Sequence, residues 1–71
     1  MKILLQDTQT LKFIGPTAGW TKDPDEARNF QRGVDALIFC YNAAIPNMVM
    51  LFEFTDRRMN FRFPVTDYRG D

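Results

Sequence analysis

The 71-residue sequence contains no histidine and no serine, and it has a single cysteine, Cys40. These absences exclude serine–histidine and cysteine–histidine nucleophilic catalysis, because both mechanisms need a histidine base. One cysteine cannot form an intramolecular disulfide, and a structural zinc site needs about four suitable ligands. The composition therefore predicts a protein that is not an enzyme and has no catalytic, cofactor-binding or metal-binding residues.

The sequence also has no net charge, because its 9 Lys and Arg residues balance its 9 Asp and Glu residues. A strongly basic surface for nucleic acid or anionic membranes is therefore not expected. No apolar run approaches the ~20 residues of a membrane span. The start, Met1–Gln6, has three consecutive apolar residues, fewer than the ~7–15 of a signal-peptide core. We predict a cytoplasmic protein without a membrane association.

The chain is long enough for one small globular domain, predicted over residues 1–66, followed by a flexible polar tail over 67–71. A domain of this size buries only roughly 60% of the surface of its unfolded chain, so it has a marginal core. Disulfides, metals and oligomerisation are the usual compensations. Because the first two are excluded here, the sequence predicts self-association, with a homodimer as the simplest assembly.

Apolar alternation predicts four strands in two hairpins. Residues 3–5 and 11–14 are rich in β-favouring side chains and flank a polar turn. Residues 48–54 and 59–65 each alternate with a period of two, and residues 55–58 have the length of a hairpin loop. Between the hairpins, Gly15 and Pro16 begin a predicted loop that ends at Trp20.

Two helices are predicted between the hairpins. Asp23 can cap free backbone amides, Pro24 suits the first helical position, and Asp25 and Glu26 favour the positive end of the helix dipole. These carboxylates are therefore interpreted as capping groups, and the first helix is expected to end before Gly33. A second helix is predicted from apolar residues at helical spacing, namely Val34, Leu37, Ile38, Tyr41, Ala44 and Ile45. Cys40 lies beside this stripe and is predicted to be a buried core residue.

The resulting fold class is α+β, a two-layer sandwich in ββ-αα-ββ order with a four-stranded, mainly antiparallel sheet and two helices on one face. Ile3, Leu5, Leu11 and Phe13 are assigned to the helix-facing side. The far side has more aliphatic residues than a solvated face needs, which motivates a partner surface there. We predict that this surface contains Leu4, Ile14, Val49 and Leu51. Trp20 is a possible further contact residue, although its position directly before a capped helix favours a role in locking its loop onto the sheet.

The leading hypothesis is a small accessory or interaction module that self-associates and has a possible protein partner. An alternative is a single-stranded nucleic-acid adaptor that uses Arg57, Arg58 and Arg62. The zero net charge weakens it, and alternation predicts that the nearby Phe61 and Phe63 are core residues. A second alternative is a small-ligand site near Trp20, with Tyr41, a carboxylate or Cys40 in the pocket.

The segment around Trp20 resembles short uncharacterised proteins of bacteria and phages. These proteins have a Gly-Trp-Thr-x-Asp element, an alanine four residues later, a phenylalanine three further on, and then a helix with an alanine about six residues on. The matching positions are Gly19, Trp20, Thr21, Asp23, Ala27, Phe30 and Ala36. The resemblance covers about a quarter of the chain and implies a phage-related protein with a hairpin followed by helices. It implies no activity and no catalytic residue.

Overall fold

The computed structural model describes residues 1–17 and 19–65, which form a five-stranded antiparallel sheet and one α-helix. The strands are β1 (Lys2–Asp7), β2 (Phe13–Ile14), β3 (Trp20–Thr21), β4 (Met48–Glu53) and β5 (Phe61–Val65). Their spatial order is β3-β2-β1-β4-β5, and the helix α1 spans Gly33–Ala43. The domain is α+β, but the prediction of four strands and two helices is wrong. The predicted tail, 67–71, lies outside the described residues.

The predicted first helix is absent from the described structure because its amides find other acceptors. The backbone N–H of Asp25 donates to the Asp23 carboxylate at 2.9 Å, and the N–H of Glu26 donates to the Asp23 carbonyl at 3.0 Å. Capping therefore operates as predicted, but it closes one turn. The Ala27 N–H still donates to the Pro24 carbonyl at 3.3 Å, but the Arg28 N–H leaves the helical pattern and donates to the carbonyl of Ile14 at 2.8 Å.

Residues 28–30 instead lie beside the end of β2 and the part of β1 near Ile3 that β2 does not pair with. The Phe30 N–H donates to the Ile3 carbonyl at 2.9 Å, and the Ile3 N–H donates to Oδ1 of Asn29 at 3.1 Å. The same Oδ1 accepts the N–H of Gln31 at 3.0 Å, which fixes the turn that follows. Sheet pairing thus replaces helix propagation, because both satisfy the backbone but only the former buries Phe30.

The helix α1 confirms the second predicted helix but presents a different face to the sheet. Its buried residues are Ala36 and Cys40, whereas Val34, Ile38 and Tyr41 are exposed. Small buried side chains let the helix axis approach the sheet closely. At its start, a Cβ on Gly33 would lie 3.6 Å from both Met50 and Phe52 of β4.

The core lies between α1 and the centre of the sheet. It consists of Ile3, Leu5, Ile14, Phe30, Ala36, Cys40, Met48, Met50 and Val65. The first predicted hairpin is confirmed by β1–β2 pairing, with Gln6 opposite Phe13. This register puts Phe13 on the face away from the helix and Ile14 in the core, which reverses the predicted sides of these two residues.

The second predicted hairpin, β4–β5, is confirmed as an antiparallel pair with Phe52 opposite Phe61 and Met50 opposite Phe63. Its loop includes a single 3₁₀ turn at Arg57–Met59, capped by the Asp56 side chain. Because β5 is the last strand of the sheet, the helix over β1 and β4 leaves much of it uncovered. Phe61 and Phe63 are 49% and 54% exposed, so their assignment to the core is wrong.

Candidate functional site

The residues predicted as a partner surface are mostly buried within the domain. Leu4 and Val49 are inaccessible or nearly so, Ile14 lies in the core, and Leu51 is half-buried. Leu4 and Leu51 are direct cross-strand neighbours on the sheet face opposite Ile3 and Leu5. The structure therefore does not bring these residues together as an open surface. Of the five, Trp20 alone is exposed, at 44%.

Exposed apolar side chains are found instead on β5, the edge strand that α1 does not cover. Phe61 stacks on Phe52 with ring centroids 4.5 Å apart and an interplanar angle of 10°, which holds the ring in place while its outer side remains exposed. Phe63 is two residues further along the strand and so shares its face. Both rings lie on the same face of the sheet as the helix, but β5 extends beyond the area that the helix covers. They are exposed because no second layer of the described chain covers them.

The helix has exposed apolar residues of its own, Val34 and Tyr41. Phe39 contacts Phe30, with ring centroids 5.4 Å apart. Because Phe30 is hydrogen-bonded to Ile3, this contact identifies the side of α1 that faces residues 28–30. The 100° rotation per residue places Val34 and Tyr41 on the opposite flank of α1 from Phe39. Their exposed fractions are 51% and 62%. We name Val34, Tyr41, Phe61 and Phe63 the apolar flank.

The three candidate nucleic-acid arginines do not converge on one surface. The Arg58 guanidinium binds the Asp56 carboxylate through two bonds of 3.1 and 2.9 Å, and this hydrogen bonding lowers the pKa of Asp56. Arg62 lies opposite Leu51, so its side chain leaves β5 on the other face from Phe61 and Phe63. Arg57 lines a cleft of about 550 Å³ at the ends of β1 and β4.

That cleft contains charges of both signs. Lys2 and Arg57 contribute positive charge, and Asp25 and Glu53 contribute negative charge. Lys2 and Glu53 are also direct cross-strand partners. A balanced set of exposed charges is typical of a solvated end of a sheet and selects no ligand charge.

A second groove, of about 580 Å³, lies at Trp20. Its walls are the loop after β2 and the turn at residues 25–27, and its described lining residues are Gly15, Pro16, Thr17, Gly19, Trp20, Thr21, Asp25, Glu26 and Ala27. The Gly15 N–H donates to the Gly19 carbonyl at 2.6 Å, which closes the loop. A Cβ on Gly15 would lie 3.1 Å from that carbonyl oxygen, so glycine is favoured there.

Tyr41 and Cys40, the residues proposed with Trp20 for a small-ligand pocket, do not line this groove. Cys40 is buried in the core, which confirms its predicted placement. Burial raises the pKa of its thiol from about 9 to about 11, so at neutral pH it is a protonated, weakly nucleophilic group. Within residues 1–17 and 19–65, no three acidic or thiol side chains are grouped to hold a metal ion.

The sequence contained a signal for the exposed flank that alternation alone missed. Pro64 lies within β5, and proline in a strand is typical of a sheet edge because it cannot donate to a ladder. An edge position predicts partial exposure of the strand's apolar residues. The groove at Trp20 had no comparable signal, because it depends on a turn returning to the sheet at residues 25–27.

Comparison with protein-family models, curated proteins and solved structures finds no match to this chain. The structure is that of a small α+β domain. Any proposal for its function has to be argued from the surfaces described above. In the described part of the chain, no helix has the length and apolar character needed to cross a membrane.

Proposed function

We propose that this protein is a small non-enzymatic interaction module that self-associates, with the apolar flank as the contact between two copies. The observation that supports this function is the exposure of about half of each of Phe61 and Phe63 on the edge strand. A phenylalanine side chain can bury roughly 150–250 Å², so these two rings alone leave about 200 Å² of apolar surface in water.

Val34 and Tyr41 roughly double this area, to about 400 Å², which is comparable to the largest apolar patch of a typical monomer. A stable interface buries about 800 Å² per partner. Other exposed apolar side chains on or next to the same two elements, including Met59 and Ile38, can supply part of the remaining area. The size of the patch therefore suits a modest interface.

A second copy is a suitable partner because none of the four residues is charged and the chain has zero net charge. Two flanks related by a twofold axis would meet without like-charge contacts. Side-chain packing is favoured over strand addition, since Pro64 removes a backbone donor from β5 and Arg62 places a charge on it. Both features protect edge strands from pairing.

Sedimentation velocity across a range of concentrations tests the proposal. We expect association at roughly 100 μM or below, corresponding to about −5.5 kcal/mol or tighter. Phe63→Asp should shift the protein to monomer, because dimerisation would bury an unpaired carboxylate. Leu11→Asp is the matched control, since Leu11 is 58% exposed and lies in the β1–β2 turn. A wild-type monomer at all concentrations, or equal effects of both variants, would refute self-association through this flank.

A second candidate is binding of single-stranded nucleic acid. The observation that favours it is the exposure of Phe61 and Phe63 close in sequence to Arg57, because aromatic rings beside cations serve as stacking platforms. Fluorescence anisotropy with labelled single strands at low salt tests it. Salt-sensitive binding that weakens in Phe61→Leu and Arg57→Gln supports the candidate, and an unchanged anisotropy eliminates it.

A further inference from the structure

We infer that the groove at Trp20 is a docking site for a basic peptide segment, in which an arginine or lysine side chain lies against the indole while Asp25 and Glu26 neutralise its charge. This site lies at β3, the opposite edge of the sheet from β5. It is therefore separate from the apolar flank and does not depend on self-association.

The first support is the exposure of Trp20. Backbone pairing with Ile14 fixes its position in β3, but 44% of the residue remains accessible. A large aromatic ring held by the backbone and open on one side is a suitable contact surface, because little conformational entropy is lost on binding. The indole face attracts cations more strongly than other aromatic side chains do.

The second support is the charge of the lining residues. Asp25 and Glu26 both line the groove, whereas no lysine or arginine is among its described lining residues. Neither carboxylate forms an ion pair in the described part of the chain. Glu26 accepts a hydrogen bond of 3.5 Å from the hydroxyl of Thr21, which follows Trp20 in β3.

Nearby cations do not line the groove. Lys2 and Arg57 share the first cleft with Asp25, but neither forms an ion pair with it in the described part of the chain. Arg28 follows the acidic turn, but its guanidinium lies over the Phe30 ring at 4.6 Å and is thereby directed to the helix side. Lys22 is exposed and does not line the groove. On a chain with zero net charge, this groove is a local negative site with an aromatic wall, and a cation complements both features.

A peptide segment fits the shape of the site. The volume of about 580 Å³ lies within the ~300–1,000 Å³ of ligand sites, but the groove is a shallow opening along an edge strand. An extended chain can therefore insert one side chain and continue past it on either side. Gly19 contributes to this access, because a Cβ there would meet no atom within 4 Å.

Trp20 provides a direct readout because it is the chain's single tryptophan. Its fluorescence is followed during titration with a blocked Gly-Arg-Gly-Arg-Gly peptide and, separately, with the matched glutamate peptide. We expect a saturable, salt-sensitive change with the arginine peptide and none with the glutamate peptide. Absence of a change with the arginine peptide would overturn the inference.

Two charge-neutralising variants separate this site from general electrostatics. Glu26→Gln should weaken binding of the arginine peptide several-fold, and the Asp25→Asn, Glu26→Gln double variant roughly tenfold or more. Asp35→Asn removes the same charge from α1 and should leave the affinity unchanged. Circular dichroism verifies that each variant is folded. Equal weakening in the Asp35 variant, or equally tight binding of methylguanidinium alone, would overturn the peptide site.

Discussion

The backbone N–H of Phe30 donates to the carbonyl oxygen of Ile3 at 2.9 Å, which joins the middle of the chain to the central strand. This bond extends the sheet edge past β2 and directs the Phe30 side chain into the core, where its ring meets Phe39 edge-on. The contact determines how the chain enters α1, and it explains why a well-capped turn does not continue as a helix.

Phe30→Ala should lower the free energy of unfolding by about 3–5 kcal/mol, because it removes a buried ring and leaves a cavity. Urea denaturation measures the loss. Phe63→Ala is a matched control at a concentration below self-association, and its effect should be much smaller because Phe63 is 54% exposed. Similar losses in the two variants would contradict the assigned positions of these rings.

Gln31→Gly should raise the free energy of unfolding by about 0.5–1 kcal/mol, because Gln31 has a φ of 67°, which is strained for residues with a Cβ. Gln31 is exposed, and the hydrogen bond of its N–H to Asn29 is retained by glycine. Gln9→Gly serves as control, since Gln9 is exposed and has no positive φ. It should be neutral or destabilising, and a gain as large as that of Gln31→Gly would contradict the strain.

Ala36→Leu should destabilise the domain by about 1–3 kcal/mol or more. Ala36 is fully buried on the side of α1 that packs on the sheet, so the larger side chain would push the helix away from the sheet. Ala43→Leu adds the same groups to an exposed position of the same helix and should change stability little. Thermal unfolding of the two variants decides the point. A tolerated Ala36→Leu would mean that α1 does not pack as closely as the structure shows.

The free energy of unfolding should decrease with pH between about 9 and 11 because of Cys40. Burial raises the pKa of this thiol to about 11, so the unfolded chain releases the proton at lower pH than the folded chain does. The stabilisation is complete below about pH 9 and is lost as the pH rises to about 11. Urea denaturation of wild type and Cys40→Ala across this range isolates the effect, and two parallel pH profiles would contradict it.

Local patterns in the sequence predicted both hairpins and the helix α1, because period and turn chemistry act over a few residues. The same patterns misplaced the first helix and the apolar faces. At Asp23 and Pro24 the capping signals were correct, yet the distant acceptors on Ile3 and Ile14 determined the course of the chain after one turn. Patterns that span a few residues cannot predict hydrogen bonds to carbonyl groups so distant in the sequence.

The candidate sites show the same division. The sequence by itself determined the absence of histidine and serine, the neutral charge, the single tryptophan and four of the five strands, because these follow from composition and short-range periodicity. The tertiary structure alone decided that Leu4 and Val49 are buried while Phe61 and Phe63 are exposed, and that Trp20 lies beside Asp25 and Glu26. Exposure and proximity depend on strand order and on where a single helix lies over a five-stranded sheet, and both arise from long-range packing.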